Sequence, residues 1–297
     1  MKELDKFIEY LKVEKNYSEY TIKNYDIDIK EFIEYCDSNN IDLYKIVYKE
    51  VKSYLSYLFN KKYSSKTISR HISALRSFYS YLYSNRLVEK NIFKSISLPK
   101  KEKRIPKYMT SEDIDIIFNI PDITSPLGQR NRLILELLYG TGIRVSELCN
   151  IKISDIDFNK KSIRILGKGS KERIVFYGDV CKDILERYIN EGRIILLNNK
   201  HNEYLIVGAY KETKISTRSI ELIIDNIIKK AALKKNITPH VLRHTFATHL
   251  LNEGCEILIV KELLGHSSLD TTGIYTHVSN ERLRKIYLDS HPRAKKS

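Results

Sequence analysis

Residues 238–275 carry Thr238-Pro239-His240-Val241-Leu242-Arg243-His244, then Leu264-Gly265-His266, then Tyr275 nine residues further on. Imidazoles, a guanidinium and a phenol are the groups that a metal-free phosphoryl transfer from DNA requires. A phenol with a pKa of about 10 is mostly protonated at neutral pH and needs a base or a strong cationic field beside it before it can attack phosphorus. Arginine supplies such a field, and its planar fork matches two phosphate oxygens at once. These residue types therefore point to a protein that cuts and rejoins DNA strands.

The elements that must position these groups can be read locally. Thr238 can cap a helix and Pro239 can take its first position, which fixes where that helix begins. His240 and Arg243 then share a face at its N-terminal end, Leu242, Phe246 and Leu250 point inward, and Gly254 is placed to end it. A short helix from about Glu256 to Leu264 stops at Gly265 and leaves His266 at the turn. Ser267 or Ser268 opens the next helix, within which Tyr275 falls. A second arginine stands in Tyr139-Gly140-Thr141-Gly142-Ile143-Arg144-Val145-Ser146-Glu147-Leu148, where two glycines break one helix and hold Arg144 at the start of another, a place that favours anions. From Ile151 to Tyr177 the pattern switches to alternation and predicts a β-hairpin with Lys168 at its tip. A lysine between two glycines can reach into a groove and protonate a leaving oxygen; Lys171 is the neighbouring rival, and a solvated turn lysine is the plainer alternative.

At 297 residues the chain is long enough for two domains. Lysine and arginine number 51 against 37 acids, a net charge of +14 that suits a polyanionic partner. Three-to-four apolar spacing in residues 1–97 predicts four helices, the last from Ser65 to Tyr83 with Ile68, Ile72, Leu75, Phe78, Tyr79 and Leu82 as its buried stripe. Arg70, His71 and Arg76 on that helix are candidate phosphate contacts, the alternative being a solvated polar face. Residues 98–108 form a proline-bounded basic linker in which Lys100, Lys101, Lys103 and Arg104 are candidate DNA contacts, so that two DNA-binding lobes could clamp the duplex. Residues 109–297 hold the chemistry. The fold class expected is mainly α with a small β-sheet, an α+β arrangement.

Cys36, Cys149, Cys181 and Cys255 form no Cys-x-x-Cys pair and read as reduced core thiols. His240, His244 and His249 lie close in sequence but lack the His-Glu-x-x-His arrangement, so no metal and no cofactor is expected. Neither an apolar leader nor a membrane-spanning run is visible, which predicts a cytoplasmic protein without membrane partners.

Taken together, the Gly-Thr-Gly-Ile-Arg-Val-Ser-Glu-Leu box, the lysine hairpin, Pro-His-x-Leu-Arg-His-x-Phe-Ala-Thr-His, Leu-Gly-His-Ser, Ile-Tyr-Thr-His-Val and His291-Pro292-Arg293-Ala294 resemble the tyrosine recombinase (phage integrase) family, in particular its XerC/XerD-like branch. The resemblance spans essentially the whole chain. It implies an N-terminal helical core-binding domain and a C-terminal catalytic domain. It also implies that Arg144, Arg243 and His266 grip the scissile phosphate, that His240 assists proton transfer at the nucleophile, that Lys168 protonates the leaving 5′-hydroxyl, and that Tyr275 attacks. The partners it implies are double-stranded DNA with an inverted-repeat site, a homo- or heterotetramer joined by exchange of the helix after Tyr275, and an accessory motor protein; that helix could instead pack on its own domain. Chromosome dimer resolution is the leading role, with a mobile-element integrase, a type IB-like topoisomerase and a DNA-binding protein with a decayed site as alternatives.

Gly273 stands where relatives often carry a larger polar residue. Glycine weakens a helix by about 1 kcal/mol relative to alanine, which predicts a more mobile nucleophile segment. Gly273→Ala should therefore change the cleavage rate and slow local hydrogen exchange; no change in either removes the idea.

Overall fold

The computed structural model describes residues 2–15, 17–97, 108–167, 172–208, 213–233, 237–265 and 279–294. Two compact units form, residues 1–104 and 105–297. As the periodicity predicts, the described chain is mainly helical with one small sheet.

The first unit contains α1 (Lys2–Val13), α2 (Glu19–Ser38), α3 (Tyr48–Asn60) and α4 (Ser65–Ser84), followed by a 3-10 turn, Ile92–Ser95. Serines start two of these helices: Ser18 accepts from the amide of Thr21 at 3.3 Å, and Ser64 from that of Thr67 at 3.1 Å. The stripe foreseen on α4 is buried in full, against Phe7, Phe32 and Val51 among others.

His71 corrects an expectation, for it faces the core and is 1% exposed. Its Nδ1 lies 3.1 Å from the Tyr54 hydroxyl and its Nε2 3.1 Å from Asp28 Oδ1. Burial pulls its pKa down to about 4, so the ring is neutral, accepting from Tyr54 and donating to Asp28. Position 71 follows Ile68 by three residues and so falls on the apolar stripe; a ring there cannot meet phosphate. Arg70 and Arg76 are half-buried and already donate inward. Arg70 reaches Asp28 Oδ1 at 3.0 Å and also Asn24, while Arg76 holds the carbonyls of Phe93 and Ile96 at 3.1 and 2.8 Å. Lys100, Lys101, Lys103 and Arg104 lie outside the described residues.

The second unit runs α5 (Ser111–Phe118), α6 (Pro126–Thr141), α7 (Val145–Leu148), β1 (Ile156–Asp157), β2 (Ser162–Leu166), β3 (Glu172–Phe176), α8 (Asp179–Arg187), a π-helical turn (Tyr188–Gly192), α9 (Arg193–Leu197), α10 (Thr217–Lys230), α11 (Pro239–Asn252), α12 (Ile257–Leu264) and α13 (Asn280–Ser290). The helix α6 is its axis: every residue from Leu133 to Thr141 is buried, and α8 and α11 pack on it. The strands form an antiparallel sheet in the order β1-β2-β3, with Ile163 opposite Val175 and Ile165 opposite Arg173. Because residues directly opposite share a face, Arg173 points the same way as buried Ile165 and Val175.

In the single chain the helix α13 packs on its own unit. Leu283 and Tyr287 of α13 enter the core. His291 stacks on Tyr287 at 5.3 Å and meets Tyr139 at 5.1 Å. Arg293 forks onto Glu136 at 3.1 and 2.6 Å with its guanidinium 4.6 Å from the Phe118 ring centre, and the Ala294 carbonyl accepts from the Asp179 amide at 3.1 Å.

Only one of the two glycines at the end of α6 makes the turn. Gly142 has φ +61°, and a Cβ there would fall 2.5 Å from the Phe246 ring. Gly140 lies inside the helix with open space around its missing side chain. Gly142→Ala should therefore cost about 2 kcal/mol or more, from a strained backbone and an overpacked contact, whereas Gly140→Ala should add roughly 0.5–1 kcal/mol. Urea-denaturation midpoints of the two variants, moving in opposite directions, check this.

Candidate active site

Thr238 starts α11 by accepting from the Val241 amide, with Pro239 in the first position, and this brings Arg243 one turn later against the end of α6. Arg243 is buried. Its Nη1 donates to the Gly142 carbonyl and its Nη2 to the Leu264 carbonyl, the latter at 2.7 Å. Both carbonyls belong to helix C-terminal ends, where partial negative charge collects and cations are favoured. Gly142 and Gly265 end those helices in the left-handed conformation, with φ +61° and +64°, and so set the carbonyls that hold Arg243. Burial lowers the Arg243 pKa to about 10, the like charge of Arg144 adding to the effect and Glu147 opposing it; the group stays charged at neutral pH.

Arg144 precedes α7, whose single turn is too short for its dipole to matter much, so the charge at this corner is the arginine's own. Its amide donates to Glu147 Oε2 at 2.7 Å and its Nη1 to Glu147 Oε1 at 2.9 Å, and its Nη2 lies 3.5 Å from the Gly265 carbonyl. Arg144 and Arg243 thus approach the same Leu264–Gly265 turn, which leads directly into His266.

Two members of this cluster were not picked out from the sequence. Arg173 of β3 donates Nη1 and Nη2 to Glu147 Oε1 and Oε2, both at 2.8 Å. Burial alone would push the Glu147 carboxyl up, but the hydrogen bonds from Arg173 and Arg144 win and hold it at about 2. Glu147 had a visible signal: a glutamate three residues after the residue that starts a helix forms a capping box. Arg173 had none beyond its alternation in the strand.

Of the six residues expected to do chemistry, the structure brings Arg144 and Arg243 together and leaves His240 exposed on the first turn of α11. Lys168, His266 and Tyr275, with Gly273, lie outside the described residues; β2 and β3 bracket the segment that contains Lys168. His249 is structural, since its Nδ1 meets the Tyr139 hydroxyl at 2.8 Å and its Nε2 the Met109 carbonyl at 2.9 Å. Neither nitrogen is free for a metal, and no metal-binding group of three or more ligands occurs among the described residues. The four cysteines are buried and unpaired, as expected.

Residues 107–282 match the Phage integrase family, and residues 4–86 match the phage integrase N-terminal SAM-like domain. The chain is 46% identical over 294 residues to tyrosine recombinase XerC of Anoxybacillus flavithermus, covering 98% of each chain. To tyrosine recombinase XerC of Bacillus subtilis it is 44% identical over 290 residues, covering 97% of this chain and 95% of that one. Among solved structures it is similar to XerH site-specific recombinase bound to difH substrate in a pre-cleavage complex, with a TM-score of 0.68, 26% identity, and 92% and 80% of the two chains covered.

The depressed pKa of Glu147 makes a stability prediction. A carboxyl held at about 2 in the folded chain but near its ordinary 4.5 when unfolded contributes stability that is present above about pH 4.5 and is lost as the pH falls toward 2. Glu147→Gln removes that contribution, so its urea midpoint should fall less than that of the wild type between pH 5 and pH 2.5 in parallel titrations.

Proposed function

This chain belongs to the phage integrase family of tyrosine recombinases, and from that membership we propose that it recombines double-stranded DNA at a specific site through a 3′-phosphotyrosyl intermediate on Tyr275. The observation that carries the reading is the imbalance of charge at the described core of the site. Arg144 and Arg173 share one carboxylate, Glu147, while Arg243 is held by the Gly142 and Leu264 carbonyls, and partly buried positive charge in excess is suited to a phosphate.

In this mechanism the Tyr275 oxygen attacks the scissile phosphorus, forming a tyrosyl ester to the 3′-phosphate as the bond to the 5′-oxygen breaks. His240 takes up the phenolic proton, and Lys168 gives a proton to the departing 5′-hydroxyl. Arg144, Arg243 and His266 stabilise the negative charge that builds on the phosphoryl oxygens, an effect that is largest when the donors are fixed beforehand. The carbonyl anchors of Arg243 and the carboxylate anchor of Arg144 supply that fixing. Attack by a 5′-hydroxyl from a second strand reverses the chemistry, and because the ester retains the energy of the broken bond, neither ATP nor a metal is needed.

Residues 1–97 then serve as the core-binding DNA domain, 98–108 as a basic linker along the phosphates, and 109–297 as the catalytic domain. The recombinase would act as a tetramer on paired inverted-repeat sites, alone or with a paralogous recombinase, with α13 leaving its place on its own unit for the same surface of a neighbour. We infer a cytoplasmic role in resolving chromosome dimers, aided by a motor protein; integration of a mobile element is the alternative. Among the described residues no helix is long and apolar enough to cross a membrane.

Wild-type protein incubated with a nicked recombination site in EDTA should give a covalent protein–DNA band on a denaturing gel, and Tyr275→Phe should give none. An adduct in the variant, or a requirement for magnesium, overturns the mechanism. Relaxation of supercoiled DNA lacking the site would favour a topoisomerase.

A further inference from the structure

We propose that Arg173 is a positioning residue for DNA cleavage, fixing the carboxylate of Glu147 and through it the guanidinium of Arg144 while bracing the Gly265 turn. The proposal rests on the phosphate-gripping role given above to Arg144.

The geometry around Glu147 is closed. Oε1 accepts from Nη1 of Arg144 and Nη1 of Arg173, at 2.9 and 2.8 Å; Oε2 accepts from the amide of Arg144 and Nη2 of Arg173, at 2.7 and 2.8 Å. Each oxygen is thus held by both arginines. The fork of Arg173 defines the plane of the carboxylate, and that plane sets where Arg144 finds its partner. With Arg173 removed, the carboxylate keeps contacts to Arg144 alone, and the pair can swing together.

Arg173 also touches the far side of the site. A Cβ on Gly265 would lie 2.7 Å from Arg173 Cδ and 2.8 Å from its Nε, so the arginine stem lies flat against the residue whose carbonyl faces Arg144. One side chain of β3 therefore meets both the Arg144 corner and the turn before His266.

Its placement argues against a purely structural role. Arg173 sits on the inner face of the sheet opposite Ile165, with its side chain 16% exposed, and its Nε is buried with no hydrogen-bond partner. An apolar residue would fill such a site at lower cost, since a buried ion pair commonly stabilises no more than hydrophobic residues of similar volume. A bidentate fork onto Glu147 is what an apolar residue cannot provide, and lysine, a point charge, cannot provide it either.

The test compares Arg173→Lys, Glu147→Gln and the double variant, each as full-length protein, for DNA affinity by gel shift and for single-turnover cleavage of a nicked site. Arg173→Lys should bind DNA within about threefold of wild type yet cleave roughly 10–100-fold more slowly, the pattern of lost transition-state positioning. In the Glu147→Gln background the same change should cost no more than about twofold, because both residues act along one path. Cleavage by Arg173→Lys near the wild-type rate, losses that multiply in the double variant, or affinity falling together with rate each overturn the proposal. Tyr275→Phe separates the two readings: an adduct in that variant removes the assumed chemistry, whereas an inert Tyr275→Phe beside a fully active Arg173→Lys removes the positioning role alone.

Discussion

A single buried carboxylate holds the catalytic unit's charged centre together. The gathered like charges of Arg144, Arg173 and Arg243 repel one another; burial is the main cause of the lowered pKa of Arg243, and the charges of Arg144 and Arg173 add to it. Glu147 offsets part of that repulsion and gives two of the three guanidiniums a fixed direction. Arg243 is held differently, by carbonyls at the ends of α6 and α12. A carboxylate for one arginine and two helix ends for the other leave positive charge over, and in the proposed mechanism that remainder is what an incoming phosphodiester would meet. The glycine turns, the inward-pointing β3 arginine and the buried axis of α6 all take part in keeping this arrangement in place.

What could be read from the sequence was what is local. Serine and threonine starts, a proline in the first turn and glycine stops mark helix ends within a few residues, and apolar spacing marks the face that packs; hence α4, α11, α12 and the β2–β3 hairpin could be outlined before any coordinates. Pairings between distant parts of the chain carry no such mark. Nothing near Arg173 announces Glu147, nothing near Arg293 announces Glu136, and the polar character of His71 concealed that it stands on a buried stripe. The two-residue β1 and five-residue α9 span too little chain to show a period, and α8 and α10 carry none of the chemical motifs. The Lys168, His266 and Tyr275 segments remain assigned by motif alone.

The first unit buries charge in another way. Asp28 is fully buried, accepts from His71 and Arg70 through Oδ1, and has no hydrogen-bond partner for Oδ2. Burial raises its pKa to about 6, with Arg70 opposing the shift. Where Glu147 is saturated with donors and stays ionised, Asp28 is short of them and inclines toward the neutral acid. The contrast comes from donor count rather than depth, and it separates a carboxylate that organises cations from one that links helices.

The return of the last helix to its own unit bears on how the protein is made. Leu283, Tyr287 and Ala294 belong to the same apolar cluster as Met109, Leu133 and Leu242, so that cluster cannot close until the ribosome has translated past residue 294 and released the segment from its tunnel. The first unit lies N-terminal to the second and so emerges earlier, and domains generally fold as units during synthesis. A chain halted midway therefore carries helices able to fold but an apolar cluster still lacking Leu283, Tyr287 and Ala294.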